Sequence, residues 1–239
     1  MILCLDCGNT RIKWGLRSDA NPDGAWLAQG AVSTREPTEL VAALSPYDAP
    51  ELAVACNVAG AVVKDAIDAA LSFPVLWNGA QPEQCGVRNG YEVPQQLGAD
   101  RWAALIGARA LHDGPCLVVS AGTATTVDVL DADGQFRGGL ILPGLDLMRA
   151  ALAGNTAQLP ADSGAFIDLP RKTVDAITSG AINATLGAIE RMFRQLIGDQ
   201  ALCLLTGGAA PLLLPHLPLP VRHEPLLVLE GLACVAGSR

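Results

Sequence analysis

The sequence predicts an α/β protein of two similar lobes that arose by internal duplication. Three observations carry this expectation. The opening stretch, Ile2-Leu-Cys-Leu-Asp6-Cys-Gly8-Asn9-Thr10-Arg-Ile-Lys13-Trp-Gly15, returns in altered form as Cys116-Leu-Val-Val-Ser120-Ala-Gly122-Thr123-Ala-Thr125-Thr-Val-Asp128. Setting Gly8 on Gly122 superimposes two apolar strands, each ending in a polar residue, a spacer and a glycine turn. In both halves strands come first and helices afterwards, the order of one α/β lobe repeated. The expected lobes are residues 1–114 and 115–239.

In the first half, strands are expected at 2–7, 11–17, 25–33, 51–55 and 74–77, with helices at 36–45 and 58–70. The third strand, beginning Ala25-Trp-Leu-Ala-Gln-Gly-Ala, is short of β-branched residues and is the weakest of these. A linker rich in Gly, Asn and Pro, Asn78 to Gly98, leads into a helix from Asp100 to His112. The second half restarts with strands at 116–120, 124–130 and 135–142, then a helix from Gly144 to Ala153. A Pro/Gly/Asp-rich stretch to Pro170 precedes a long helix, Thr173 to Leu196. A strand at 201–206, a helix near 208–214 and a final strand and helix around 225–236 complete the chain. In the long helix, Ile177, Ala181, Ala184, Ala188 and Met192 recur at helical spacing and predict one apolar face. Gly180 and Gly187 inside it cost helix stability. Small residues so spaced suit either a core packing or a contact between subunits. His216-Leu-Pro-Leu-Pro220 reads as a connecting loop.

With 239 residues, half of them hydrophobic and 17% charged, the chain can bury a substantial core and is expected to fold as a globule. A formal charge of −8 speaks against nucleic acid as a partner, because phosphate backbones need a basic footprint. No apolar run reaches membrane-spanning length, so no membrane partner is expected. The start lacks a basic region and cleavage site, and a cytoplasmic protein is expected. Seven cysteines fit that compartment. Cys4 and Cys7 form a C-x-x-C, but without further Cys or His nearby they read as ordinary strand and turn thiols rather than a zinc site. The three histidines, His112, His216 and His223, are scattered and suggest no triad or metal centre.

The chemistry is expected at the glycine turns. A strand, a turn with open backbone N–H groups and hydroxyls, and a second strand form a hairpin suited to phosphate oxygens. Two such hairpins could grip a polyphosphate from both sides. Asp6 ends a buried strand at such a turn; it either holds a magnesium ion against phosphate oxygens or caps its own backbone in an Asx-turn. Gly8 permits close approach, Asn9 and Thr10 supply donors, and Lys13 is either a phosphate contact or a solvated strand residue. In Gly98-Ala99-Asp100-Arg101, Asp100 is either a helix N-cap or a base that orients a substrate hydroxyl. Arg101 can take a carboxylate bidentately. Tyr91 lines the same region or anchors the linker. Thr206-Gly207-Gly208 ends a strand where glycines let a flat ring lie on the backbone. No G-x-x-x-x-G-K-[ST] loop occurs, so any phosphate grip must come from the hairpins.

These positions together resemble the actin-like, sugar-kinase-like ATPase superfamily, and within it the type III pantothenate kinases, one branch of which was first described as the Bvg accessory factor. The resemblance covers essentially the whole chain in order. It rests on Asp6 to Thr10 with Lys13, Gly98 to Arg101, Gly122 to Thr125 with Asp128, Thr173-x-x-Ala-Ile-x-x-Gly180, and Thr206 to Gly208. It implies two ribonuclease-H-like lobes with the active site in the cleft between them, a homodimer, and ATP-dependent phosphorylation of pantothenate, the first step toward coenzyme A. It implies ATP contacts at Asp6, Cys7, Gly8, Asn9, Thr10, Arg11, Ile12, Lys13, Thr123, Gly207 and Gly208, with magnesium at Asp6. Asp100 matches the family's proposed base. Tyr91, Gly98, Ala99, Asp100, Arg101 and Thr173 match its pantothenate pocket, Thr173 being supplied across the dimer. A monovalent cation, K⁺ or NH₄⁺, is implied too, but Ser120 stands where many relatives carry the Asp that helps bind it. Two other classes remain: an accessory protein that kept an ATPase fold, and a kinase for another hydroxy acid or a sugar.

Overall fold

The computed structural model describes residues 1–18, 24–155, 164–198 and 200–238. The chain forms two compact units. One comprises Met1–Asp113, Gly134–Phe136 and Leu226–Arg239, the other Gly114–Asp133 and Arg137–Pro225.

The first unit begins with β1 (Ile2–Cys7), β2 (Arg11–Arg17) and β3 (Trp26–Ser33), then α1 (Glu39–Leu44), β4 (Leu52–Asn57), α2 (Ala61–Ala70) and β5 (Val75–Trp77). A short hairpin, β6 (Glu83–Gln84) and β7 (Val87–Arg88), precedes α3 (Ala99–Leu111). Its sheet has the order β3-β2-β1-β4-β5. β1 runs antiparallel to β2 and parallel to β4. A central strand is covered on both faces, which is why β1 reads as a nearly continuous apolar run. Leu3, Leu5, Ile12, Leu16, Leu40 and Ile67 make the core of this unit. The weak third strand forms because its partner completes it: Trp14 pairs with Gly30, and a Cβ at Gly30 would stand 2.7 Å from the Trp14 ring. The indole covers the space that the glycine leaves.

The second unit contains β8 (Cys116–Ala121), β9 (Ala124–Leu130), β10 (Phe136–Pro143, whose first residue belongs to the first unit), α4 (Leu145–Asn155), α5 (Thr173–Phe193), β11 (Leu202–Thr206), α6 (Ala210–Leu213) and β12 (Val221–His223). Its sheet order is β10-β9-β8-β11-β12. Counted from each unit's first strand, this is the order of the first sheet, so the repeat in the sequence is a repeat of topology. The core comprises Leu117, Val119, Val127, Ile182, Ile189 and Leu205 among others. Part of the Pro/Gly/Asp-rich stretch, 156–163, lies outside the described residues. The last strand falls at 221–223, immediately after the Pro-rich loop, rather than around 225.

Two differences from the sequence reading have clear causes. The last helix, α7 (Leu227–Gly237), packs with the first unit, whereas the expected lobe ran unbroken from 115 to 239. Its backbone meets α3 directly: a Cβ at Gly231 would lie 1.8 Å from the Ala103 carbonyl oxygen, and one at Gly107 would lie 2.2 Å from that of Leu227. Only glycine at both positions permits this approach. Glu230 also accepts from the buried Arg17 at 2.9 Å and from the Trp26 indole at 2.6 Å, fixing α7 to β2 and β3. The second difference is the face of α5. The core-facing residues are Thr178, Ser179, Ala181, Ile182, Thr185, Leu186 and Ile189, while Gly180, Ala184 and Gly187 face outward. The sheet of the second unit selects a stripe rotated from the expected one. No helix among the described residues is long and apolar enough to cross a membrane.

Candidate active site

Strand register places the first group of residues. Asp6, in β1, lies directly opposite Lys13 in β2 and Cys56 in β4, so all three side chains share one face at the end of the sheet. The Lys13 ammonium is 3.8 Å from one Asp6 oxygen, and the Cys56 thiol donates to the other at 3.7 Å. Asp6 is only 8% exposed. Burial raises its pKa above the ordinary carboxylate range; Lys13 opposes the shift, and the negative charge of Asp100 adds to it. Asp100 is therefore close enough to Asp6 to act on it electrostatically. The turn that follows Asp6 is closed by the Gly8 N–H donating to the Arg11 carbonyl at 3.1 Å, and the Thr34 hydroxyl donates to the Gly8 carbonyl at 2.8 Å. Asn9, Thr10 and Arg11 are exposed at the turn, and Ile12 is buried beneath it.

Cys7 and Cys4 are buried, and burial pushes both thiols up to about 12. Neither is a thiolate at neutral pH, so any role of Cys7 toward a ligand runs through its backbone.

The second group sits at the start of α3. Gly98 is the N-cap, with no side-chain cap, and Asp100 lies inside the first turn. The N-cap reading of Asp100 is thereby corrected. One Asp100 oxygen accepts the Arg101 N–H at 2.8 Å. A Cβ at Gly98 would stand 2.7 Å from that oxygen, so the glycine makes room for the carboxylate. Arg101 is 5% exposed, and its guanidinium donates to the Tyr91 hydroxyl at 2.8 Å. It also lies 5.6 Å from the Tyr91 ring centre and 5.9 Å from that of Phe136. The two rings stack at 5.6 Å. Asn89 shapes the approach: its side-chain oxygen accepts the Tyr91 N–H at 3.0 Å, and its amide donates to the Gln81 and Pro94 carbonyls. Tyr91, Gly98, Ala99, Asp100 and Arg101 are thus brought together in the unit that also holds Asp6.

In the second unit the Gly122 turn is one residue tighter: Gly122 N–H donates to the Ala124 carbonyl at 3.0 Å, where Gly8 reaches Arg11. The Thr123 carbonyl accepts the Gly144 N–H at 2.9 Å at the start of α4. Gly207 has φ +99°, and a Cβ there would lie 2.3 Å from the Ala121 carbonyl oxygen. The Ala209 N–H donates to that oxygen at 2.9 Å. Thr123, Gly207 and Gly208 therefore gather at one end of the second sheet, and a Cβ at Gly208 would meet nothing within 4 Å. Thr173 opens α5, exposed, and belongs to the second unit rather than to the one that holds Tyr91 and Arg101.

Sequence reasoning missed Cys56, Thr34, Asn89 and Phe136. Cys56 becomes visible only once β4 is placed beside β1. Phe136 lies at the start of a strand read as part of the other lobe.

A divalent ion that accompanies nucleotide phosphates is held by one or two carboxylates, with water and phosphate completing its shell. Asp6, with Asp100 near it, fits that donor set. Among the described residues no group of three or more His, Cys, Asp or Glu is placed to hold a metal ion.

Comparison with known proteins shows the family and the fold. The family model described as type III pantothenate kinase matches residues 2–195. The chain is 56% identical to the type III pantothenate kinase of Aromatoleum aromaticum over 99% of its own length and 98% of the relative's. Among solved structures, a Campylobacter jejuni protein described as a conserved candidate transcriptional activator of the Baf family superimposes with a TM-score of 0.66 at 20% identity, covering 99% and 98% of the two chains. The inorganic polyphosphate/ATP-glucomannokinase of Arthrobacter sp. strain KM has a TM-score of 0.52 at 16% identity, covering 100% and 99%. At these identities the structures speak for the fold alone.

Proposed function

The chain belongs to the type III pantothenate kinase family, and on that premise we propose that it transfers the γ-phosphoryl group of ATP to the primary hydroxyl of pantothenate. The product, 4′-phosphopantothenate, begins coenzyme A biosynthesis. The observation that supports this reading best is the buried Arg101, held by Tyr91 and Phe136 at the start of the helix that carries Asp100, in the same unit as the Asp6 turn. In this reading the Asp6 turn handles phosphate, Asp100 is the base and Arg101 is the carboxylate anchor.

Arg101 holds the pantothenate carboxylate, with Tyr91 and Phe136 packed on its guanidinium and the Gly98–Ala99 backbone completing the contact. Asp100 orients the primary hydroxyl and receives its proton. The hydroxyl oxygen attacks the γ-phosphorus in line, the bond to the β,γ-bridging oxygen breaks, and its electron pair leaves with ADP. The transition state is loose, so positioning and charge neutralisation contribute more than proton abstraction. Asp6 would hold magnesium, which supplies charge neutralisation at the phosphates. The Cys7–Lys13 turn, Thr123, Gly207 and Gly208 contact ATP. A monovalent cation, K⁺ or NH₄⁺, belongs to the same proposal; Ser120 offers it a hydroxyl rather than a charge.

The protein acts as a cytoplasmic homodimer, with the outward stripe of α5 in the contact and Thr173 serving the partner's pantothenate. Support comes from Gly180, Ala184 and Gly187, which leave that face open, and from Leu147, Leu152 and Ile141, which are 47%, 43% and 66% exposed on the same unit.

Measuring ATP consumption with pantothenate and with a panel of sugars and other hydroxy acids tests the assignment. Turnover confined to pantothenate is expected. Preference for a sugar would reassign the substrate, and no turnover with any acceptor would favour an accessory protein.

A further inference from the structure

Cys85 and Cys234 are two of the seven cysteines, and they differ from the other five, which are all buried; these two are half-buried. Cys85 caps the β6–β7 hairpin in a two-residue turn with φ +50°, followed by Gly86 at φ +76°. Positive φ at both central positions is the geometry that twists two strands correctly, and Asn or Gly usually occupies the first of them. A cysteine there projects its thiol from a conformation that its own side chain does not favour. That thiol lies 3.5 Å from the Ser238 hydroxyl. Ser238 closes α7, its N–H donating to the Cys234 carbonyl at 3.1 Å, so Cys234 stands one turn earlier on the same face. Burial, and next the proximity of Cys85, push the Cys234 thiol up to about 11.

We propose that Cys85 and Cys234 are a redox-modification site, which a hydroperoxide converts to a disulfide joining the β6–β7 hairpin to the C-terminal helix. The Cys85 sulfur attacks the peroxide, the O–O bond breaks, an alcohol (water, for hydrogen peroxide) leaves, and Cys85 becomes a sulfenic acid. The Cys234 sulfur then attacks the Cys85 sulfur and displaces the hydroxyl group. The two thiol hydrogens leave in the alcohol and in water, so two thiols are oxidised and one peroxide is reduced. Closing the link requires the Cys85 side chain to swing from Ser238 toward the preceding turn of α7. The linked hairpin is the one whose Gln84 accepts the Trp102 indole N–H at 2.9 Å, and it continues into Asn89 and Tyr91. The site does not depend on the identity of the phosphoryl acceptor.

The test is direct, because trypsin isolates these two cysteines. Cleavage after Lys64, Arg88 and Arg222 gives the peptides Asp65–Arg88 and His223–Arg239, each with one cysteine. Reduced, folded, full-length protein is treated with graded hydrogen peroxide, alkylated and digested. The two peptides are expected as one disulfide-linked species that dithiothreitol separates. In Cys234→Ser, Cys85 should instead accumulate as a sulfenic acid trapped by dimedone. Failure of the wild type to give the linked species, while either thiol oxidises alone or both stay free, overturns the proposal. So does equal linkage of Cys85 to several cysteines, or equal yield from urea-unfolded chain, since the link would then owe nothing to the fold.

Discussion

Asp6 and Ser120 hold the same place in two sheets of one topology. Asp6 lies between Lys13 and Cys56, and Ser120 lies between Thr126 and Thr206 in the same register. The duplicated frame thus carries an acid and a base in one copy and three hydroxyls in the other. The neighbouring Thr125 hydroxyl is buried without a hydrogen-bond partner among the described residues. Divergence at this register position leaves a buried carboxylate at the end of one sheet and a neutral hydroxyl at the end of the other.

Asp6→Asn is expected to cripple turnover yet stabilise the fold. A carboxyl whose pKa is raised on folding stabilises the protein in its protonated form. That contribution is present below the unfolded pKa and is lost as pH rises through the folded value. The neutral amide escapes the loss. In EDTA at pH 8 the variant should melt above the wild type, and the gap should close as pH falls toward about 4, the ordinary carboxylate value. A variant that melts lower at pH 8 would show that burial does not dominate at Asp6.

Arg101→Ala should raise the KM for pantothenate far more than that for ATP. A charged hydrogen-bonded pair of this kind contributes about 1.5–3 kcal/mol, or roughly ten- to a hundredfold. Pantothenol, which lacks the carboxylate, should bind the wild type poorly and the variant about equally. Steady-state kinetics with both compounds decide it; equal handling of acid and alcohol by the wild type would remove the anchor role.

Glu230→Ala takes away the carboxylate that balances Arg17, which is 1% exposed. Breaking a buried pair by deleting one partner costs about 3–5 kcal/mol. Urea unfolding should show a lower midpoint, and Glu230→Gln, whose amide oxygen can still accept one of the two hydrogen bonds, should lose less. Equal loss from the two variants would mean that the charge accounts for the effect and the hydrogen bonds add little.

Ala184→Glu puts a charge on the outward stripe of α5, where the single chain does not bury it. Light scattering should report monomers with native circular dichroism and little activity. Mixing Asp100→Asn subunits with Thr173→Arg subunits should partly restore turnover, because one site of each heterodimer then carries neither lesion. An active wild-type monomer would remove the shared-site proposal.

Much of this arrangement is legible in the sequence because it is local. The glycine turns, the strands that flank them and the Gly98–Arg101 helix start are contiguous, and their polar residues follow apolar runs at strand spacing. What depends on register or on non-local packing is not legible. Cys56 reaches Asp6 only through the parallel pairing of β4 with β1. Phe136 reaches Arg101 from another part of the chain. The core-facing stripe of α5 is chosen by the sheet beneath it, since its small residues alone satisfy more than one face. The return of α7 to the first unit rests on Gly107 and Gly231, which lie in separate helices and signal nothing individually.

The most direct test of the central claim, that Asp100 beside Asp6 serves the phosphoryl acceptor, is kcat for Asp100→Asn at saturating ATP and pantothenate, with pantothenate binding measured in parallel by calorimetry. Asn keeps the shape and loses the base. General-base and orienting effects of this kind are worth about a hundredfold or more, so kcat should fall at least that far while pantothenate still binds and the fold is unchanged. A variant that keeps most of the wild-type kcat would contradict the account and leave Asp100 as no more than an acidic residue in the first turn of a helix.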